Sequence, residues 1–172
     1  METNSNAGSA ATRPAIDPGT VIGHVHLKVS DLDRAEDFYT RVLGFEITNR
    51  FGDSALFLSA GGYHHHLGLN TWHSKGASPG DPRRPGLYHF AILYPDRRAL
   101  AVAVKRVLEE GWQIDGVADH GVSEAVYLHD PDGNGIELYR DRPRAEWQIE
   151  PDGSIAMVTD PLDVRALIEE AG

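Results

Sequence analysis

The chain contains no cysteine. Disulfides, thiolate–zinc sites and cysteine nucleophiles are therefore excluded, and any metal must be held by nitrogen and oxygen. Positive charge is scarce as well: 16 Lys and Arg stand against 26 Asp and Glu, a formal net charge of −10. Recognition of phosphate needs clustered basic side chains, so no nucleic-acid partner is expected. No apolar run approaches the ~20 residues that span a bilayer, and no membrane partner is expected either. The opening "METNSNAGSAATRPAIDPGT" lacks the basic and apolar regions of a secretory signal, which leaves a cytoplasmic protein as the expectation.

What is there is an ordinary globular composition over 172 residues, enough for one well-buried domain. Residues 1–19 are polar, aperiodic and expected to be a disordered leader. "VIGHVHLKV" (21–29) then alternates, with Val25, Leu27 and Val29 on one face and His24, His26 and Lys28 on the other. That is a strand with one buried face. "SDLDRAEDFYTRVLGFEI" follows: a Ser30 or Asp31 cap, apolar residues Leu32, Ala35, Phe38, Tyr39 and Val42 at helical spacing, and Gly44 as terminator. "FEITNRF", "SALFLSA" and "HHHLGLNTW" supply further strands.

The same order recurs. "GLYHFAILYP" (86–95) is a strand and "DRRALAVAVKRVLEEGW" a helix closed by Gly111. "QIDGVADHG", "EAVYLHDP" and "GIELYRD" are strands, the last two joined by the turn residues "PDGNG". At an offset of 65, His24 falls on His89 and Asp31 on Asp96. An internal β-α-β-β-β repeat is thus expected, with modules over about 20–73 and 86–142. The tail from 143 carries acidic residues and a short candidate helix, "DPLDVRALIEEA"; it has no catalytic reading, and a packing arm or dimer contact is expected.

Face assignment brings histidines together. Val25 and Leu27 in one half, and Phe90 and Ile92 in the other, take the helix side, so His24 and His89 project from the opposite face. In "GIELY", Ile136 and Leu138 take the helix side and turn Glu137 the other way. A lone strand histidine is more often a partly exposed residue than a ligand. Here two occupy equivalent places beside a carboxylate. Two imidazoles and one carboxylate form the facial set that holds divalent iron with positions left open.

The pattern "HVHLKVSDLDRAEDFYTRVLGFEI … YHF … YLHDPDGNGIELY" resembles the vicinal oxygen chelate superfamily. That superfamily includes glyoxalase I, extradiol ring-cleaving dioxygenases, fosfomycin-resistance enzymes and metal-free bleomycin-binding proteins. The resemblance spans about residues 20–142. It implies an α+β fold of two paired βαβββ modules, a curved mixed sheet enclosing a metal-lined cup with helices outside, and ligands at His24, His89 and Glu137. "YHHHLGLNTW" with "DHGVSEAVYL" most resembles the catechol 2,3-dioxygenase-like branch.

That comparison bears on the run "GGYHHHLGLNTWH" (61–73), which holds four of the nine histidines. If the modules are equivalent, Gly68 mirrors Glu137, and the glutamate that supplies a fourth ligand in glyoxalase I is missing. Alternation places His64, His66 and Asn70 toward the cup and His65 with Leu67 and Leu69. None of the three histidines is then a primary ligand; His66 becomes one only if the register slips. The resemblance assigns His120 and Tyr127 to the ring-cleaving machinery. It suggests His73 as an acid/base, since imidazole titrates near neutrality. His26, His64, His66, Asn70 and Trp72 are candidates to line the substrate pocket.

The expected activity is a metal-dependent, extradiol-type dioxygenase acting on a small aromatic vicinal diol with O2. Iron(II) is the expected metal, with Mn(II), Zn(II) or Ni(II) as alternatives. A glyoxalase-like isomerase or lyase and a non-catalytic, resistance-type binding protein are the competing readings. Many extradiol enzymes carry four modules; this chain has two, so a homodimer is expected to complete the pocket.

Overall fold

The computed structural model describes residues 15–172. The leader expected over 1–19 lies for the most part outside them.

Each half folds as the repeat requires. Strand β1 (Val25–Lys28) leads into helix α1 (Leu32–Asp37), whose N-terminus is capped by Asp31 accepting from the Arg34 N–H at 3.0 Å. The helix continues as a wider turn over Phe38–Val42, where the Leu43 N–H reaches the Phe38 carbonyl at 3.1 Å. Gly44 ends it at φ 83°, a conformation that costs a glycine nothing. Strands β2 (Glu46–Phe51), β3 (Ala55–Ser59) and β4 (Leu67–Asn70) complete the first module. The second consists of β5 (Phe90–Leu93), α2 (Arg97–Glu109), β6 (Gly116–Asp119), β7 (Ser123–His129) and β8 (Gly135–Asp141). Asp96 caps α2 through the Ala99 N–H at 2.8 Å, the counterpart of Asp31.

The sheets repeat as well, in the orders β1-β4-β3-β2 and β5-β8-β7-β6, with the first and last strands of each module parallel and the rest antiparallel. The α+β expectation holds, as two separately hydrogen-bonded four-stranded sheets. The apolar helix-side residues of both modules merge into one core, from Leu27, Tyr39, Leu56 and Leu69 to Leu100, Val126, Ile136 and Leu138. Burial of this kind stabilises at roughly 25 cal/mol per Å² of apolar surface.

Polar ties reinforce the junction. The Tyr39 hydroxyl donates to buried Asp130 at 3.0 Å, and Asp132 accepts from the Ser30 N–H at 3.0 Å and from Arg34 at 2.7 Å. The "DPDGNG" segment is therefore both a hairpin turn and the latch between modules.

The tail runs back over its own chain. A bridge between Asp119 and Asp160 fastens it to β6, and α3 (Val164–Glu169) buries Leu167 beside α2. Among the described residues no helix is long and apolar enough to cross a membrane.

Candidate metal centre

The helix-averse face of the second sheet carries a cross-strand row: Ala91 beside Glu137, Glu137 beside Tyr127, Tyr127 beside Gly116. His89 precedes β5 on the same face and places its Nε2 3.0 Å from Glu137 Oε2. Gly135 makes this approach possible. A Cβ there would overlap the Tyr88 carbonyl oxygen and crowd the His89 Cβ. The other Glu137 oxygen, Oε1, lies 3.3 Å from the Tyr127 hydroxyl, which stands 2.9 Å from His120 Nε2. Four of the expected residues thus form one string: His89, Glu137, Tyr127, His120. Burial, and then the Glu137 carboxylate, push the Tyr127 phenol up to about 12, so it keeps its proton across the neutral range.

The first sheet carries the equivalent row with different chemistry. His26 lies beside Gly68, and Gly68 beside Phe57. By register Gly68 occupies the place of Glu137, as the repeat predicts, and His26 and Phe57 take the places of Ala91 and Tyr127. His24 stacks on His65 with ring centres 4.6 Å apart, and His65 lies 5.2 Å from Phe57.

The histidine run departs from simple alternation. Strand β4 begins only at Leu67, so the two-residue period does not reach back over 64–66. His65 packs on His24 and Phe57 rather than with Leu67 and Leu69. His64 faces it with Nδ1 atoms 2.8 Å apart, while His66 Nδ1 lies 3.1 Å from the Ser59 hydroxyl. Burial first, then the charges of neighbouring His64, His24, His26 and His66, lower the His65 pKa.

The remaining candidates scatter. His73 is exposed in the turn after β4 and joins neither group. Trp72 is half exposed, its ring 5.6 Å from His26, and Asn70 is buried with its Oδ1 accepting from the Trp72 N–H at 3.2 Å. No contact joins His24 to His89 or Glu137. Among the described residues no group of three or more His, Asp or Glu side chains could hold a metal ion. Phe57 and the Val158 carbonyl, 2.8 Å from His120 Nδ1, went unnoticed in the sequence. Repeat alignment hides Phe57 because it precedes Gly68 by eleven residues while Tyr127 precedes Glu137 by ten. A main-chain carbonyl leaves no sequence signature at all.

The donor set nonetheless suits a divalent ion at one corner. Two ligands at a right angle about one metal, each about 2.1 Å from it, lie about 3.0 Å apart, and the His89–Glu137 contact, 3.0 Å long like an ordinary hydrogen bond, has that spacing.

Residues 21–138 match the family described as the Glyoxalase/Bleomycin resistance protein/Dioxygenase superfamily. The chain belongs to this superfamily. A protein of Bacillus subtilis named catechol-2,3-dioxygenase is 44% identical over 158 residues, covering 92% of this chain and 54% of that protein. Biphenyl-2,3-diol 1,2-dioxygenase 3 of Rhodococcus globerulus is 28% identical, over 70% of this chain and 63% of its own length. The chain therefore spans 54% and 63% of the lengths of these two relatives. Among solved structures, lactoylglutathione lyase from Agrobacterium tumefaciens superposes with a TM-score of 0.56 at 24% identity, over 72% of this chain and 96% of that one. At that identity the likeness concerns the fold alone.

Proposed function

We propose that this protein is a divalent-metal dioxygenase of extradiol type, cleaving the ring of a catechol-like vicinal diol with O2. The observation that carries the reading is the string from His89 through Glu137 and Tyr127 to His120. The diol dioxygenase names of the superfamily relatives support it. His89, Glu137 and His24 would hold the metal, with iron(II) the favoured ion. Iron(II), if held there, would supply the positive charge that diol and O2 chemistry needs. Within one chain His24 stays with the first-module histidines, and the common core ties the modules to each other. A homodimer, in which a second copy supplies its His24, completes the set.

The protein's own groups have distinct tasks. Glu137 divides its two oxygens, one toward His89 and the metal position, the other toward Tyr127, which orients the carboxylate. Tyr127 remains a neutral phenol and hydrogen-bonds the diol oxygen nearest Glu137. His120 accepts or returns a proton through Nε2 as the ring opens, as a general acid–base imidazole does. Gly68 offers no donor from the first module, which disfavours the four-ligand isomerase alternative.

The test is anaerobic iron(II) loading of untagged protein, followed by catechol with oxygen uptake and ring-cleavage absorbance recorded. Near-stoichiometric iron is expected in the parent and in a His64→Ala/His65→Ala control, and its loss in His24→Ala, His89→Ala and Glu137→Ala. Iron kept by those three but lost by the control would move the site to the histidine run. Iron bound without oxygen uptake on any vicinal diol would remove the dioxygenase reading.

A further inference from the structure

The C-terminal tail reaches the site, and it does so through His120. The backbone of Asp160 pairs with Asp119 in both directions at 2.9 Å, and the Val158 N–H donates to the His120 carbonyl at 3.2 Å. The Val158 carbonyl then turns to the imidazole, with its oxygen 2.8 Å from Nδ1. Val158 is held between two anchors. Upstream, the Trp147 indole donates to the Arg142 carbonyl at 2.8 Å; downstream, Leu162 and Leu167 are buried in the common core. Gly121 turns the chain beneath the strap at a backbone φ of 74°, a conformation that favours glycine.

A carbonyl oxygen can only accept, so the proton at this contact belongs to Nδ1. In the neutral ring Nε2 is then bare, and it is Nε2 that lies 2.9 Å from the Tyr127 hydroxyl. The phenol has one proton and two acceptors in reach. The bare nitrogen at 2.9 Å is the nearer; Glu137 Oε1 at 3.3 Å is the farther. The phenol proton therefore lies mainly toward His120, with Glu137 Oε1 its longer and weaker acceptor.

We propose that residues 145–172 act as a positioning strap, in which the Val158 carbonyl fixes His120 as the Nδ1–H tautomer and presents Nε2 to Tyr127 as a proton acceptor. The catalytic consequence rests on the dioxygenase reading; the tautomer does not. Val158 is a positioning residue, since it acts on the reaction only through His120.

The bond can be weakened without touching a side chain. Replacing the amide between Val158 and Thr159 by an ester makes the Val158 carbonyl a poorer acceptor, and among the described residues the Thr159 N–H donates no hydrogen bond. The tail lies at the end of the chain, so semisynthesis on the otherwise full-length protein gives this variant. Ring-nitrogen NMR of 15N-histidine-labelled protein, with and without Zn(II), reads the tautomer directly. The parent is expected to show His120 protonated at Nδ1 and bare at Nε2, and the ester to show a growing Nε2–H population with the other histidine signals in place. With iron(II) and catechol, kcat of the ester is expected to fall about tenfold while KM stays within about twofold. An Nε2–H tautomer in the parent, or an ester with unchanged tautomer populations, overturns the proposal. If the tautomers respond as stated but neither protein opens a vicinal diol, the dioxygenase reading fails and the strap stands.

Discussion

At the position where the second module has Glu137, the first has glycine, and its neighbours explain why. His26 lies directly beside Gly68, and a Cβ at 68 would come within 3.0 Å of its ring. In the second module the large and small residues have changed strands: Ala91 stands beside Glu137. Each row has space for one bulky polar side chain on this pair of strands. Gly68→Glu should therefore destabilise by about 1–3 kcal/mol, as overpacked sites do. His26→Ala added to it should recover most of the loss by recreating the Ala91–Glu137 pairing. Thermal melts of the single and double variants read this out, and equal destabilisation in both would show that His26 is not the obstacle. The equivalence of Gly68 and Glu137 was legible from the repeat. The reason for the glycine was not, because it depends on which residue of β1 lies beside it, and that is set by a parallel register no local pattern states.

Elements differed in how openly the sequence declared them. Helices α1 and α2 announced themselves through an aspartate cap, apolar residues at helical spacing and a terminal glycine, all local signals. The "HHHLGLN" segment did not, since Gly68 interrupts its pattern and hydrogen bonding decides that β4 starts at Leu67. The wide turn after α1 was also unforeseen. It carries Tyr39, whose hydroxyl is buried against Asp130 in the facing module. Burial, then that carboxylate, hold the Tyr39 phenol well above its ordinary range, and burial pushes Tyr94 up to about 12. In the unfolded chain such phenols titrate near pH ~10. Between about pH 10 and 12 the unfolded state loses these protons while the folded state keeps them. Their contribution is complete below about pH 10 and is lost as pH rises toward the folded values. Denaturant midpoints measured from about pH 8 to 11 should fall on the alkaline side. Tyr94→Phe should make that fall shallower, and an identical slope would show that Tyr94 titrates normally in the folded chain.

On the scale of the molecule, the two modules share a core, and the covalent link between them contributes little to it. The connecting segment has no strand or helix, and residues 80–88 are exposed throughout. Fragments 1–82 and 83–172 should each fail to fold alone and should regain the native far-ultraviolet signal and a single cooperative melt when mixed. A fragment that folds by itself with the stability of the whole chain would contradict this. The spacing repeat made the two-module plan readable at the outset. That the halves bury each other was not readable, because a periodic pattern tells which face of a strand is apolar and not what covers it.

The common core has a consequence for how such a chain changes over generations. Once two copies of a unit cover each other's apolar sides, deleting either exposes the other, so duplication works as a ratchet that does not turn back. Change without loss of the core is then left to surfaces outside the contact, and there the halves do differ: on the sheet faces turned away from the helices, one has glycine where the other has its carboxylate. The symmetry lies in the backbone, and the chemistry lies where the side chains break it.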